Sequence, residues 1–538
     1  MVGPKLVHEI HHGRMVRAHA VRPANISLMF SETVARAPRR DAVVDGALRL
    51  DYVTLDRHVA TVAAALATRG VGPGDRVALL LGNRADFLVA VLATARLGAI
   101  IVPMNIRQKA PETAYVLTLT GAAVLLYEAA LADDLPGQFE CPPLRHRIPV
   151  DDDMRIWTLS SQEPAPDTFV EEDAPFAILC TSGTTGRPKG AVLTHFGVIT
   201  SVLGARDALG LRDGEVTVLA VPASHVTGLV LELLEMIAVA GTSVMMRAFK
   251  ARAFLELASR ERLTYTCMVP AMYNLCLLEP DYASFDLSSW RSGTFGGAPM
   301  PDATISALTA WNPALKLTNI YGSTETTSPA VMMPSELISA RSHQVGRALP
   351  YVDLMIMDEN GREVPRGEQG EIWLGGPMTV PFYWNDPDAT AKGFADGFWK
   401  SGDIGILDAD GFLTLCDRKK DMINRGGFKI YSVEVENVLM AHPCVIEAGV
   451  VGRPCAVLGE RTHAFVQVNQ EISEAELRAW CAERLSDYKV PDGITLCPEP
   501  LPRNANGKLL KTDLRQLITD AGDKSQASPR NTDDRTLA

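Results

Sequence analysis

Short apolar runs that alternate with helical stretches constrain this chain most. Residues 76–81 form a strand-like apolar run, residues 86–97 carry helical periodicity, and residues 99–104 are apolar again. That order predicts a β-α-β unit of the kind that builds parallel sheets with helices on both faces. The alternation recurs around residues 216–221, 229–240 and 242–246, and again around 264–269 and 315–321. At 538 residues the chain is long enough for two or three domains. A charged segment, Asp417, Arg418, Lys419, Lys420 and Asp421, separates two apolar stretches and marks a linker. Beyond it, roughly a hundred residues suit an independent unit. A helix is expected there at 433–441, strands at 447–451 and 463–468, and a second helix from Ser473, with Glu476 completing a capping box. The expected fold is α/β: a large N-terminal domain of parallel-sheet β-α-β layers and a small C-terminal α+β domain. The expected boundaries are a disordered leader over 1–24, the large domain over 25–418, the small domain over 419–520 and a disordered tail over 521–538.

Composition narrows the function classes. Hydrophobic residues make up 47% and charged residues 22%, as in a well-packed soluble enzyme. The formal charge of −12 argues against nonspecific nucleic-acid binding. Nine cysteines are scattered without a C-x-x-C pair, which reads as reduced thiols in a cytoplasmic protein. No stretch reaches the ~18 apolar residues that span a bilayer, and the N-terminus lacks a signal-peptide core. The leader carries His8, His11, His12 and His19 among basic residues. His8, His11 and His12 would suit a metal site only if that segment were helical, and a disordered leader is the expectation.

The chemistry centres on Thr181, Ser182, Gly183, Thr184, Thr185, Gly186, Arg187, Pro188, Lys189 and Gly190, directly after the apolar residues 176–180. Glycines let the backbone turn and present N–H groups to an anion, while hydroxyls and a lysine add donors. This is a phosphate cradle by composition. It differs from the common P-loop, which needs Gly-Lys-Ser/Thr, because Pro188 precedes Lys189 and Gly190 follows it.

Five further segments accompany it. Tyr321, Gly322, Ser323, Thr324, Glu325 and Thr326 follow a strand-like run and combine a stacking ring, hydroxyls and a carboxylate suited to Mg²⁺. Ser401, Gly402, Asp403, Ile404 and Gly405 present an Asp that can accept hydrogen bonds from ribose hydroxyls. The charged linker is the third. Residues 424–431, with Gly426, Gly427 and Lys429, are the fourth, and residues 502–509, with Lys508, are the fifth.

In this order and spacing the six segments resemble the acyl-adenylate-forming superfamily, which includes acyl- and aryl-CoA synthetases, peptide-synthetase adenylation domains and firefly luciferase. The resemblance runs from about residue 25 to about residue 517 and implies an ATP-dependent acid–CoA ligase. It implies that Thr181, Ser182, Gly183, Thr184, Thr185 and Lys189 bind the β- and γ-phosphates of ATP. It places Gly296, Gly297 and Ala298 beside adenine, with Tyr321 stacking on the ring. Thr324 then contacts the α-phosphate, Glu325 carries Mg²⁺, and Asp403 and Arg418 hold the ribose. Lys508 matches the lysine that bridges the substrate carboxylate and the α-phosphate. The small domain rotates between half-reactions in this family, with a hinge matching Lys420, where many relatives carry Asp. Gly426, Gly427 and Lys429 then serve the thioester stage with coenzyme A.

Residues 222–228 resemble the family segment that lines the acyl pocket, and His225 matches its histidine. Ser224 stands where an aromatic residue is commoner. No basic residue occurs in residues 326–333 or beside residues 296–299, which favours an apolar fatty or aryl acid. The acceptor is expected to be coenzyme A, with a separate phosphopantetheinyl carrier protein as the alternative. The sequence leaves open whether the chain acts as a monomer or a homodimer.

Overall fold

The computed structural model describes residues 5–526 apart from 138, 160, 162, 167, 182–187, 299, 426–427, 456–457 and 504–508. The chain divides into two compact units. One holds Met1–Ser401 and Leu407–Thr414, and the other holds Gly402–Ile406 and Leu415–Ala538.

The larger unit is built on two mainly parallel sheets. The first runs in the order Lys189–Thr194, Pro175–Thr181, Ile100–Pro103, Arg76–Leu80, Val124–Glu128 and His146–Val150. Only its Lys189–Thr194 edge is antiparallel. The second has nine strands, and its centre is the parallel set Lys316–Tyr321, Ser292–Gly296, Tyr265–Met268, Val216–Leu219 and Thr242–Met245. Helices Ile26–Arg36, Tyr52–Ala67, Ala85–Arg96 and His195–Leu209 share one apolar core with strand residues of both sheets, including Leu79 and Leu219. Residues Ala85 to Ala95 are buried all round, so that helix is apolar on every face, as a helix enclosed in a core must be. Its one acid, Asp86, is paired with Arg84 and Arg155 at 2.9 and 2.8 Å. Helices Ala251–Arg260, Pro270–Leu277 and Asp302–Trp311 cover the other face of the second sheet. The predicted β-α-β units therefore appear where the periodicity placed them, at the cost of one or two residues at each end.

A further antiparallel sheet contains Asp353–Met357, Gln369–Gly375, Phe398–Leu407 and Phe394–Ala395, and the division between the units falls inside Phe398–Leu407. The smaller unit has a sheet in the order Phe428–Ile430, Ile423–Arg425, Gly459–Val468 and Val445–Cys455, with Gly493–Cys497 beside Gly459–Val468. Helix Glu474–Ala482 starts at the expected cap, where Ser473 and Glu476 bond reciprocally.

Three expected boundaries change. The disordered leader over 1–24 is replaced by an antiparallel hairpin of Leu6–His11 and Arg14–His19. His12 and Gly13 both have positive φ, as a tight two-residue hairpin turn requires. The hairpin is held by packing that polarity alone did not reveal. Val16 and Ala18 bury against Phe196, His11 stacks on that ring at 3.7 Å, and His11 Nδ1 lies 2.8 Å from Asp173. A strand, not a helix, therefore carries His8 and His11. Residues 521–526, expected in a disordered tail over 521–538, belong instead to helix Lys511–Gln526, and the rest of that expected tail lies outside the described residues. The boundary expected between 418 and 419 moves upstream, since Gly402–Ile406 and the residues from Leu415 count with the smaller unit.

Candidate active site

The residues expected to form the phosphate cradle are flanked by two antiparallel strands, Pro175–Thr181 and Lys189–Thr194. Residues Phe176 to Leu179 are buried, which fixes the strand Pro175–Thr181 in the sheet and leaves Thr181 at its end. The chain returns in antiparallel register with Lys189 opposite Thr181. Ser182, Gly183, Thr184 and Thr185 lie outside the described residues.

The strand Lys316–Tyr321 leads into a turn of 3₁₀ helix, Thr324–Thr326. The Ser323 N–H donates to Thr326 Oγ1 at 3.0 Å and caps it. Glu325 is buried, with 6% of its surface exposed, and its carboxylate is held from both sides. Oε1 accepts from Thr181 Oγ1 at 3.3 Å and from Tyr383 Oη at 3.0 Å, and Oε2 accepts from Ser323 Oγ at 2.7 Å. Lys189 Nζ lies 5.0 Å from the centre of the Tyr383 ring, a cation–π distance. Thr181, Lys189, Ser323, Glu325 and Tyr383 thus form one cluster in the larger unit. Thr324 is buried beside Glu325.

Gly296 pairs with Ile320 across two parallel strands. A Cβ there would come within 2.5 Å of the Ile320 carbonyl oxygen, so only glycine allows the approach. The segment of Gly296, Gly297 and Ala298 is thereby set beside the strand end that carries Tyr321. Gly297 and Ala298 are exposed.

His225 stands just before a π-helix, Thr227–Leu234, with Nδ1 3.3 Å from Thr227 Oγ1. Wide π turns recur at functional sites because they displace side chains from α-helical positions. Within it, Glu232 accepts from Thr217 Oγ1 at 3.2 Å and from the Cys267 N–H at 3.1 Å. Complete burial pushes its carboxyl up to about 8.

In the smaller unit Arg418 Nε lies 3.4 Å from Asp403 Oδ1, so the expected ribose-binding pair is brought together. Lys420 is exposed in a turn closed by the Asp421 N–H on the Arg418 carbonyl at 2.9 Å. Lys429 pairs with Asn424 across the strands Ile423–Arg425 and Phe428–Ile430. Gly426, Gly427 and Lys508 lie outside the described residues.

Tyr383 escaped the sequence reading. It stands 58 positions from Glu325, and no periodicity or motif joins the two. Burial, and after it the neighbouring Glu325 charge, raise its phenol well above the usual tyrosine range, so the ring remains a neutral donor. Replacing Tyr383 with Phe removes one of the bonds that hold the carboxylate. A charge-assisted bond contributes about 1.5–3 kcal/mol to stability, so the melting temperature should fall, and pyrophosphate release should fall about tenfold as the carboxylate loses one of its holds. An unchanged rate would remove Tyr383 from the site.

Residues 30–384 match the family model described as AMP-binding enzyme. The chain belongs to the AMP-binding enzyme family. Residues 434–508 match the AMP-binding enzyme C-terminal domain. Among relatives, the chain is 34% identical over 482 residues to a feruloyl-CoA synthase of an Amycolatopsis species, covering 89% of this chain and 96% of the relative. It is 33% identical over 501 residues to the long-chain-fatty-acid–CoA ligase FadD13 of Mycobacterium tuberculosis, covering 91% and 98%. Among solved structures it is similar to the o-succinylbenzoate coenzyme A synthetase of Bacillus subtilis in complex with ATP and magnesium ion. That match has a TM-score of 0.80 and 30% identity, and covers 91% of this chain and 99% of the other. None of the described helices is long and apolar enough to cross a membrane.

Proposed function

We propose that this AMP-binding enzyme activates an apolar carboxylic acid, fatty or aryl, and transfers its acyl group to coenzyme A. It is an AMP-forming acid–thiol ligase that uses ATP, Mg²⁺ and coenzyme A. The observation that carries the reading is the Glu325 carboxylate, held by Thr181, Ser323 and Tyr383 where Lys189 faces Thr181.

The donors around Glu325 are carboxylate and hydroxyl oxygens, the hard set that Mg²⁺ prefers, so the residues present fit that ion. Mg²⁺ held by Glu325 would offset the negative charge of the phosphates. Thr181 and Lys189, with Ser182, Gly183, Thr184 and Thr185, grip the β- and γ-phosphates. Tyr321 and the segment Gly296, Gly297 and Ala298 hold adenine, Thr324 contacts the α-phosphate, and Asp403 and Arg418 hold the ribose. His225 approaches the acid. The acid's carboxylate oxygen attacks the α-phosphorus, the bond to the β-phosphate oxygen breaks, and pyrophosphate leaves. The coenzyme A sulfur then attacks the acyl carbon and AMP departs. Lys508 serves the first step, Gly426, Gly427 and Lys429 the second, and Lys420 is the hinge between them.

An apolar acid is supported by the burial of residues 326–333, which contain no basic side chain to pair with a second carboxylate. A cytoplasmic location is supported by nine cysteines that form no disulfide. A pyrophosphate-release screen over short, medium, long and aromatic acids, with dicarboxylates and amino acids as counter-set, tests the reading. Fatty or aryl acids should give release, and preference for the counter-set would overturn the apolar assignment. With the best acid, loss of free coenzyme A thiol supports the ligase. Acyl transfer only to a phosphopantetheinyl carrier would favour the alternative.

A further inference from the structure

The N-terminal hairpin lies ahead of the region that matches the family model, which begins at residue 30, yet it reaches the segment that packs on Glu325. Residues 378–383 touch the Glu325 turn at three points. Thr327 Oγ1 donates to the Met378 carbonyl at 2.7 Å, the Val380 N–H donates to the Glu325 carbonyl at 2.9 Å, and Tyr383 Oη donates to Glu325 Oε1 at 3.0 Å. Thr379 lies in the middle of this segment. Its carbonyl accepts from Arg14 Nη2 at 3.1 Å, and Arg14 Nη1 donates to the Gly397 carbonyl at 3.2 Å. The Arg14 stem packs on Gly397, whose φ is +84°; a Cβ at that position would lie 2.6 Å from Arg14 Cδ. Arg14 thus fastens two backbone segments with one rigid fork, an arrangement that a single-headed lysine cannot reproduce.

The base of the hairpin is anchored separately. His11 bonds Asp173, and Arg22 joins Glu9 to Glu172 at 2.6 and 2.9 Å. Glu172 and Asp173 precede the strand Pro175–Thr181 that carries the cradle. Arg17 makes a third attachment, to the Val352 carbonyl and to Asp353. Among the described hairpin side chains, Arg14 is the one that hydrogen-bonds directly to residues 378–383. A guanidinium donating to main-chain carbonyls, instead of closing an ion pair on the surface, spends its hydrogen bonds on backbone position.

We propose that Arg14 is a positioning residue for Glu325, acting through Thr379 and Val380 to hold the carboxylate in place for magnesium-bound ATP. The proposal rests on the ATP-dependent ligase reading given above. Three variants test it: Arg14→Ala, Arg14→Lys and, as a control on the same hairpin, Arg17→Ala. Hydrogen exchange should be faster in residues 376–384 for Arg14→Ala, intermediate for Arg14→Lys and unchanged for Arg17→Ala. Calorimetric titration with ATP at several Mg²⁺ concentrations should show magnesium-dependent affinity weakened about tenfold in Arg14→Ala, a modest displacement for a residue that acts at second hand. Pyrophosphate release should fall with it, while thioester formation from supplied acyl-adenylate stays at the wild-type rate.

Equal behaviour of Arg14→Ala and Arg17→Ala would overturn the proposal, because both loosen the hairpin and only one contacts Thr379. Wild-type magnesium–ATP affinity in Arg14→Ala would overturn it as well. If Arg14→Ala fails to fold, Arg14→Lys keeps the charge and the stem, and the same two readouts decide. A wild-type protein that binds magnesium–ATP but releases pyrophosphate with no acid would defeat the ligase reading alone. The exchange and titration results for Arg14 would still stand.

Discussion

Replacing Glu325 with Gln should lower pyrophosphate release by about 10²–10³-fold, the usual cost of removing one preorganised electrostatic group from an active site. Gln has nearly the same shape: its carbonyl oxygen can keep the bonds from Thr181 and Tyr383, and the Ser323 hydroxyl can turn to accept from its amide nitrogen, so the loss reports charge rather than collapse. Burial gives a second, opposite signature. A carboxylate with 6% exposure is costly to desolvate, so the melting temperature of the variant should equal or exceed that of the wild type. Lower activity with equal or higher stability separates a functional acid from a structural one. Thioester formation from supplied acyl-adenylate should be nearly unchanged, because no pyrophosphate leaves in that step. Saturating Mg²⁺ should not restore adenylation. A variant with wild-type pyrophosphate release would show that the carboxylate merely closes the hydrogen-bond cluster.

Replacing Lys508 with Ala should also cost about 10²–10³-fold in adenylate formation and leave the second half-reaction mostly intact. The physical reason is the meeting of two anions. On the proposed reading the acid's carboxylate must approach a phosphate, and a lysine between them would offset that repulsion as charge builds on the phosphoryl oxygens. Once the mixed anhydride exists, the attacking group is a thiol and that repulsion is gone. Pyrophosphate release and transfer from synthetic acyl-adenylate, measured on the same preparation, give the split directly. Equal loss in both would refute the division of labour between Lys508 and the segment of Gly426, Gly427 and Lys429.

Both experiments concern residues that the sequence brought forward, and for a common reason. Thr181 and Lys189 flank one short loop, so their pairing follows from local chain geometry once the strand is recognised. Thr324 and Glu325 stand at a strand end, and Ser473 and Glu476 are three apart on the first turn of a helix. Asp403 and Arg418 are more distant, yet each occupies an ordered strand, and they meet at 3.4 Å. Period and turn chemistry report local geometry, and the family pattern adds the roles.

The errors and omissions have the opposite character. Residues 1–24 look like a leader because their polarity is high. What orders the hairpin is a stack on Phe196 and a hydrogen bond with Asp173, both more than 160 positions away. Tyr383 looks like one more aromatic in an apolar run until its hydroxyl is found on Glu325. Arg14 looks like one basic residue among several until its fork is found on two carbonyls.

The sequence by itself determined the β-α-β architecture and the strand-end setting of Thr181, Lys189 and Glu325, which depend on spacing along the chain, and its resemblance to a known family implied the class of chemistry. The tertiary structure alone decided how Glu325 is held, by Tyr383 on its carboxylate and by the Val380 N–H on its carbonyl, with Arg14 bonded to the neighbouring Thr379. Such contacts join segments tens to hundreds of residues apart. Side-chain type and periodicity specify which face of an element is buried, but not which distant segment covers it.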